Sequence, residues 1–326
     1  MKKFLSCILF CLILFGLIGQ LGDILISKPN NRYYMLEKHL EEIGTEFDVQ
    51  VFGSCHSYTS FNPNTLWEQT GLDSFVFGNP GEIMPATYLR MREQFKDYAP
   101  KVALVEIWGI NPYETYDSTA SILESYFPPN IERIPFSLEK LKVIRDFETL
   151  DLVEMNFTIS KYKDRILENA LQDFDFDYSF DAAKACAWED VRDEMTSRLE
   201  NNGLKVNPSN PLDQYEALQN HVDEDDVLEI EPDIAKYITK IIELCEAYDV
   251  ELIFYRSPYV AKVNELRKRN HFRQICDAQD VLFIDLEQEI DYDYSTDFFD
   301  YEHLSEAGAA KSTEFLIPYI LEATKS

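Results

Sequence analysis

Residues 47–63, Phe47-Asp-Val-Gln-Val-Phe-Gly-Ser-Cys-His-Ser-Tyr-Thr-Ser-Phe-Asn-Pro63, decide how the chain is read. Phe47, Val49 and Val51 alternate with Asp48 and Gln50, which predicts a short strand. The strand runs straight into Gly53-Ser54-Cys55-His56-Ser57, where glycine permits a tight turn and small polar residues suit a helix start. A nucleophile at Cys55 would sit at the carboxyl end of a strand, where open α/β sheets bind ligands. The N–H groups and dipole of a helix start favour negative charge at that point.

Outward from this stretch, strands and helices alternate. Ser74–Phe77 reads as a second strand, ending at Gly78-Asn79-Pro80-Gly81. Met84, Tyr88, Met91 and Phe95 then make one buried helical face, with Pro85 suited to its first turn. Val102–Trp108 is a near-continuous apolar run, as a central parallel strand requires, and it ends in Gly109-Ile110-Asn111-Pro112. After residue 232 the alternation resumes. Ile234, Tyr237, Ile238, Ile241 and Cys245 form a helical stripe, Val250–Tyr255 a strand, Val260–Ala278 a basic-rich helix and Val281–Leu286 a fifth strand. Ser305 caps a last helix to Ala323, expected to turn Phe315, Leu316, Tyr319 and Ile320 to the sheet. Repeated βαβ units of this kind predict an α/β domain.

Residues 113–232 break the pattern and are expected to form a mainly helical insertion. Leu138–Phe147, Leu152–Leu171 and Glu189–Asn201 read as helices. Asp173–Phe180, which alternates acidic and aromatic residues, reads as a loop or edge strand with a solvated acidic face. The acidic run Asp223–Glu231 is expected to be solvated as well.

The chain carries 30 Lys and Arg against 59 Asp and Glu, a formal net charge of −29. Such a surface repels phosphate backbones, so no nucleic-acid partner is expected. At the amino end, Lys2-Lys3 precedes an uncharged run from Phe4 to Ile18. A basic start followed by an apolar run describes a signal peptide or a short anchor. No Ala-x-Ala-like site follows, so residues 1–27 are expected to be an uncleaved, single-pass membrane anchor with residues 28–326 outside the cell; secretion after cleavage is the alternative. Of the six cysteines, Cys55, Cys186, Cys245 and Cys276 lie beyond this segment. Their spacing specifies no disulfide pairing and offers no zinc motif, so no metal and no cofactor are expected. Cys245, on its apolar stripe, is expected in the core.

Gly53-Ser54-Cys55 resembles block I of the SGNH (GDSL-type) hydrolase superfamily, whose nucleophile is the third residue of Gly-Asp-Ser. The longer string is similar to the Gly-Ser-Ser-His-Ser form of membrane-anchored bacterial members related to the D-alanyl-lipoteichoic-acid and polysaccharide O-acetylation proteins. Cys55 stands where that family has serine. Gly78 resembles the block II glycine and Asn111 the block III asparagine, both oxyanion donors. Asp300-Tyr301-Glu302-His303 resembles the block V Asp-x-x-His. The resemblance implies a three-layer α/β/α, flavodoxin-like fold with a five-stranded parallel sheet in the order 2-1-3-4-5. It also implies a triad of Cys55, His303 and Asp300, with an oxyanion hole formed by Cys55, Gly78 and Asn111. His56 is expected to pack or cap rather than react, and Trp108 to lie in the core at its strand end.

Acyl transfer from an ester needs a nucleophile, a base within hydrogen-bond reach, a group that orients the base, and donors where negative charge develops. The expected function is therefore an extracytoplasmic acyl-ester hydrolase or O-acyl transferase acting on a cell-envelope glycan or similar ester. The alternative, motivated by the altered nucleophile, is an inactive scaffold that binds glycan or assists a membrane acyltransferase.

Overall fold

The structure, a computed structural model, describes residues 32–113, 121–147 and 197–325 apart from 133 and 213, with Met195 and a few helical positions before residue 18. The expected anchor over residues 1–27, the helix over 152–171 and the acidic–aromatic stretch 173–180 lie largely or wholly outside the described residues. Among the described residues no helix is long and apolar enough to cross a membrane. The chain divides into two compact units, residues 43–131 with 196–326, and residues 1–42 with 132–195.

The second of these units contains α1 (Arg32–Ile43, to its boundary at residue 42) and, much later in the chain, α6 (Leu138–Asp146). Ser137 caps α6 by accepting the Lys140 N–H at 3.1 Å, and the buried Lys140 ammonium donates to the Ile134 carbonyl at 2.8 Å. The remaining elements belong to the larger unit, α5 (Ile122–Glu132) ending at its boundary.

In that larger unit the strands are β1 (Val49–Phe52), β2 (Ser74–Val76), β3 (Val102–Glu106), β4 (Glu251–Arg256) and β5 (Leu282–Asp285). All pair in parallel, in the order β2-β1-β3-β4-β5 that the superfamily resemblance implies. Register places Val51 beside Leu104 and Leu104 beside Ile253, so these three side chains share a face. Against that face pack α2 (Cys55–Ser60), α3 (Pro63–Thr70) and α11 (Glu306–Ala323), through Tyr58, Phe61, Leu66, Leu316 and Ile320.

The other face carries Phe52, Val105, Phe254 and Phe283, one residue along each strand. Here Phe95 of α4 (Met84–Asp97) meets Phe52 edge-on, and Phe272 of α9 (Val263–Ala278) meets both Phe254 and Phe283. On that side α8 (Pro232–Ala247) packs against α4 and β4, burying the expected stripe from Ile234 to Cys245. Helices on both faces of a parallel sheet complete a three-layer α/β/α domain. The short helices α7 (Tyr215–Leu218) and α10 (Leu286–Glu289) flank β5 and the loop after it.

Three expectations are corrected in detail. Strand β3 stops at Glu106 rather than Trp108, because the buried Glu106 carboxyl accepts the Trp108 N–H at 2.9 Å and the chain turns into a 3-10 helix, Trp108–Ile110. In α11 it is Ile317, not Tyr319, that is buried beside Leu316 and Ile320; Tyr319 is exposed. The acidic run 223–231 is exposed in part, yet it is tied to α9. Asp226 pairs with Arg267 at 2.6 Å, Glu231 with Lys268 at 2.7 Å, and Asn270 donates to the carbonyls of Asp223 and Asp226. Arg267 and Lys268 of α9 thus meet acidic partners in the chain itself.

Leu104, wholly buried in the central strand, and Leu282, 42% exposed on the edge strand, predict opposite sensitivities. Leu104→Ala should cost about 2–5 kcal/mol in urea unfolding, and Leu282→Ala no more than roughly 0.5 kcal/mol.

Candidate active site

The carboxyl end of β1 makes the sharpest turn in the site. Gly53 has φ +132°, and a Cβ there would lie 2.9 Å from the Glu106 Cβ, so the turn needs glycine on both counts. Ser54 then caps α2, its Oγ accepting the His56 N–H at 3.3 Å while donating to Glu106 at 2.9 Å. Ser54 is wholly buried and engaged on both sides, which fits a cap and not a nucleophile. Cys55, the first residue of α2, has a partly exposed thiol, and its N–H has no acceptor within the helix.

The loop after β2 lies directly against this turn. A Cβ on Gly78 would stand 1.9 Å from the Ser57 Oγ and 2.9 Å from the Ser54 carbonyl, so only glycine lets the two loops meet. Glu82 fixes the loop from behind, accepting from Asn79 at 2.8 Å, Arg90 at 2.9 Å and Thr87 at 3.1 Å. Asn111 follows the 3-10 helix after β3 and is buried. Its amide donates to the Trp108 carbonyl at 3.1 Å, so one of its two N–H bonds is committed to the chain.

The Asp300–His303 loop follows β5. One oxygen of Asp300 accepts the backbone N–H groups of Glu302 and His303, both at 2.8 Å, and His303 Nδ1 lies 3.0 Å from the same oxygen. The three-residue spacing has its physical reason here: the carboxylate that builds the turn also orients the ring. With Nδ1 held by Asp300, the other ring nitrogen faces Cys55. Burial alone would disfavour the imidazolium, but hydrogen bonds to Asp300 and to Cys55 prevail and push the His303 pKa up to about 10. On Asp300 itself the hydrogen bonds from His303 outweigh burial and hold its carboxyl below the usual range.

The expected site residues are therefore brought together: Asp300 is hydrogen-bonded to His303, the Cys55 sulfur lies within 4.8 Å of a ring nitrogen of His303, and Gly78 and Asn111 stand on neighbouring loops. Cys55, Cys245 and Cys276 are free thiols, and Cys245 is buried as expected. Cys186 lies outside the described residues. His56 packs as expected, among Trp108 at 5.5 Å, Tyr259 at 4.8 Å and His303 at 5.4 Å between ring centroids. Burial, then the charges of His303 and Arg256, hold its pKa well below 6.5.

Several contributors escaped the sequence reading. Glu106, the one charged residue in the apolar run 102–108, supports both Ser54 and Trp108. Its charge within a buried strand was the available signal. Residues 198–212, inside the expected insertion, form a strap across the site. Arg198 donates to the Gly78 carbonyl at 2.7 Å and lies 3.9 Å from the Tyr58 ring centre; the Lys205 N–H donates to the Tyr58 carbonyl. Asn207 donates to Leu304, Ser209 to Thr296 and Asn210 to Phe299, so the strap also grips the loop of the Asp–His pair. Beyond the end of the expected helix 189–201, the available signal in this segment is the turn-rich composition of Asn207-Pro-Ser-Asn-Pro211.

The sequence matches no protein-family model and no curated protein. Among solved structures the chain is similar to a GDSL-like lipase from Bacteroides thetaiotaomicron VPI-5482, at 10% identity and a TM-score of 0.40 over 91% of this chain and 100% of the other. It is also similar to a protein from Desulfitobacterium hafniense DCB-2 described as a lipolytic protein of the G-D-S-L family, at 9% identity and a TM-score of 0.40 over 83% and 97%. A third, from Bacteroides fragilis NCTC 9343 and described as an acylhydrolase, has 8% identity and a TM-score of 0.39 over 85% and 87%.

Burial pushes the Glu106 carboxyl up to about 7, against its partly compensating hydrogen bonds from Trp108 and Ser54. The folded protein therefore binds a proton that the unfolded chain, titrating near 4.5, has lost. The stability this confers is fully present below pH 4.5 and is lost as pH rises to about 7, a span on the order of 3 kcal/mol. Glu106→Gln should remove this slope, so the difference in urea stability between the two proteins should change with pH across that window and level off above it.

Proposed function

We propose that the protein is an SGNH-like acyl-ester hydrolase or O-acyl transferase with Cys55 as nucleophile, His303 as proton carrier and Asp300 as its orienting group. The observation that carries this reading is the placement of Asp300, hydrogen-bonded to His303 Nδ1, with His303 and the Cys55 sulfur within 4.8 Å of each other at the carboxyl edge of the sheet. The block-by-block resemblance of Gly53–Cys55, Gly78, Asn111 and Asp300–His303 supports the superfamily.

In this mechanism the Cys55 sulfur attacks the acyl carbon while the imidazolium of His303 gives its proton to the departing alcohol, leaving a thioester. Water, or the hydroxyl of an acceptor, then loses a proton to His303 and attacks the thioester, which frees the thiolate. The oxygen that becomes negative at each step meets the N–H groups of Cys55 and Gly78 and the second N–H of Asn111. Arg198 steadies the Gly78 loop from its carbonyl side.

The substrate we assign is an acyl ester, acetyl among them, on a glycan of the cell envelope. The apolar segment 4–18 and the basic residues before it support a tethered, extracytoplasmic enzyme, and a membrane acyltransferase fits as partner. The net charge of −29 argues against a nucleic-acid partner.

The test is short-chain ester hydrolysis by the purified full-length protein under reducing conditions. Cys55→Ala and His303→Ala should abolish it, and Asn111→Ala should lower kcat by about 10²–10³ with a small effect on KM. Full hydrolysis by Cys55→Ala would refute the mechanism.

A further inference from the structure

His56 is an imidazole of the site that the proposed mechanism does not use. It is 1% exposed, and neither ring nitrogen has a hydrogen-bond partner. A buried imidazole with both nitrogens unmatched is costly unless something occupies the space it faces. It follows Cys55 directly in the chain and lies beside His303. One ligand atom from each of Cys55, His56 and His303 falls within 4.8 Å of the other two.

We propose that Cys55, His56 and His303 form a three-ligand site for a thiophilic divalent cation, zinc first among them, whose fourth position opens at the carboxyl edge of the sheet. One thiolate and two imidazoles are a soft to borderline donor set that suits zinc and not magnesium or calcium. Tetrahedral zinc needs sulfur and nitrogen ligands about 3.3–3.6 Å apart, so the three side chains must close by roughly 1 Å. Cys55 and His303 are only partly buried, whereas His56 is packed among the surrounding rings, so the approach falls to Cys55 and His303.

The supports of a metal site are in place. Asp300 holds the Nδ1 of His303, which fixes the tautomer and leaves the other nitrogen to bind, as in carboxylate–histidine–zinc arrangements. A carboxylate oxygen of Glu302 lies 3.9 Å from His56 Nε2 and adds negative charge. Against these acts Arg256, 4.8 Å from the Tyr259 ring, but its guanidinium is already paired with Asp285 and Glu287. Sequence spacing pointed away from a metal because the third ligand comes from the far end of the chain.

Binding is a proton-for-metal exchange: the proton on the His303 imidazolium goes to solvent as the sulfur–zinc and nitrogen–zinc bonds form, and nothing is oxidised or reduced. The metal takes the sulfur and the nitrogen lone pair that acyl transfer would use, so occupied protein cannot form a thioester. Zinc should inhibit ester hydrolysis, and a chelator should restore it. The metal site itself does not depend on the acyl-transfer reading.

The test uses the reduced, full-length protein stripped with a chelator, titrated with Zn²⁺ against a chromogenic chelator and separately with Co²⁺. The expected result is one zinc per chain and a sulfur-to-cobalt charge-transfer absorption in the near ultraviolet. Cys55→Ser should abolish that absorption. Cys55→Ser and His56→Phe should each weaken zinc by at least tenfold, since losing even a support of a ligand typically costs about 10- to 100-fold. Phenylalanine keeps the ring packing, and a far-ultraviolet dichroism spectrum and Tm equal to wild type show that the variant is folded. Absence of zinc binding in the wild type, or unchanged affinity in folded His56→Phe, overturns the proposal. Ester hydrolysis by the stripped protein is read independently. Zinc binding without hydrolysis keeps the metal site and sinks the acyl-enzyme mechanism; hydrolysis without zinc binding does the reverse.

Discussion

Two missing side chains hold the site together. At Gly53 and Gly78 the ends of neighbouring strands approach until no Cβ fits between them. Gly109 repeats the constraint one strand over, where a Cβ would stand 2.6 Å from the Glu82 carbonyl. These contacts bring the loops after β1, β2 and β3 into backbone contact. Such contact sets N–H groups more firmly than side chains can, because the backbone has fewer soft torsions. Every proposed role at Cys55, Gly78 and Asn111 presupposes that closeness.

Beneath this backbone layer lies a layer of buried charge. Glu106 supports the elbow and turns the chain after β3, and Glu82 anchors the loop after β2. Arg256 and Arg269 share Asp285 at the ends of β4 and β5. Isolated, each such charge would cost several kcal/mol to bury, so each is neutralised, paired or protonated where it stands. The consequence is rigidity at the carboxyl edge of the sheet, where a reacting geometry has to be held within about 0.5 Å.

Much of this was legible in the sequence. The alternation of strands and helices and the helical stripes follow from apolar periodicity, the five-stranded parallel sheet and its order from the superfamily resemblance, and the glycine–serine–cysteine turn announces itself because few residues tolerate that backbone. The Asp300–His303 pair was readable because its geometry is local: a carboxylate bonding the N–H groups two and three residues on. Other features were hidden because they depend on partners distant in sequence. The strap 198–212, the pairing of the acidic run with α9 and the grouping of His56 with His303 are of this kind. Tyr319 was misassigned for a simpler reason. Apolar residues at 315, 316, 317, 319 and 320 cover most of a helix circumference, and composition does not say which arc meets the sheet.

The strap's grip on the Asp–His loop joins residues 87 to 97 positions apart, and Cys55 meets its partner only when the last loop before α11 is in place. During synthesis, then, the thiol emerges early and waits through most of translation without its histidine. Parallel sheets built from such distant pairings fold slowly. The newborn chain therefore passes through a period in which Cys55 is an ordinary exposed thiol, open to oxidation or mispairing. Completion of the carboxyl terminus is also the event that makes the site.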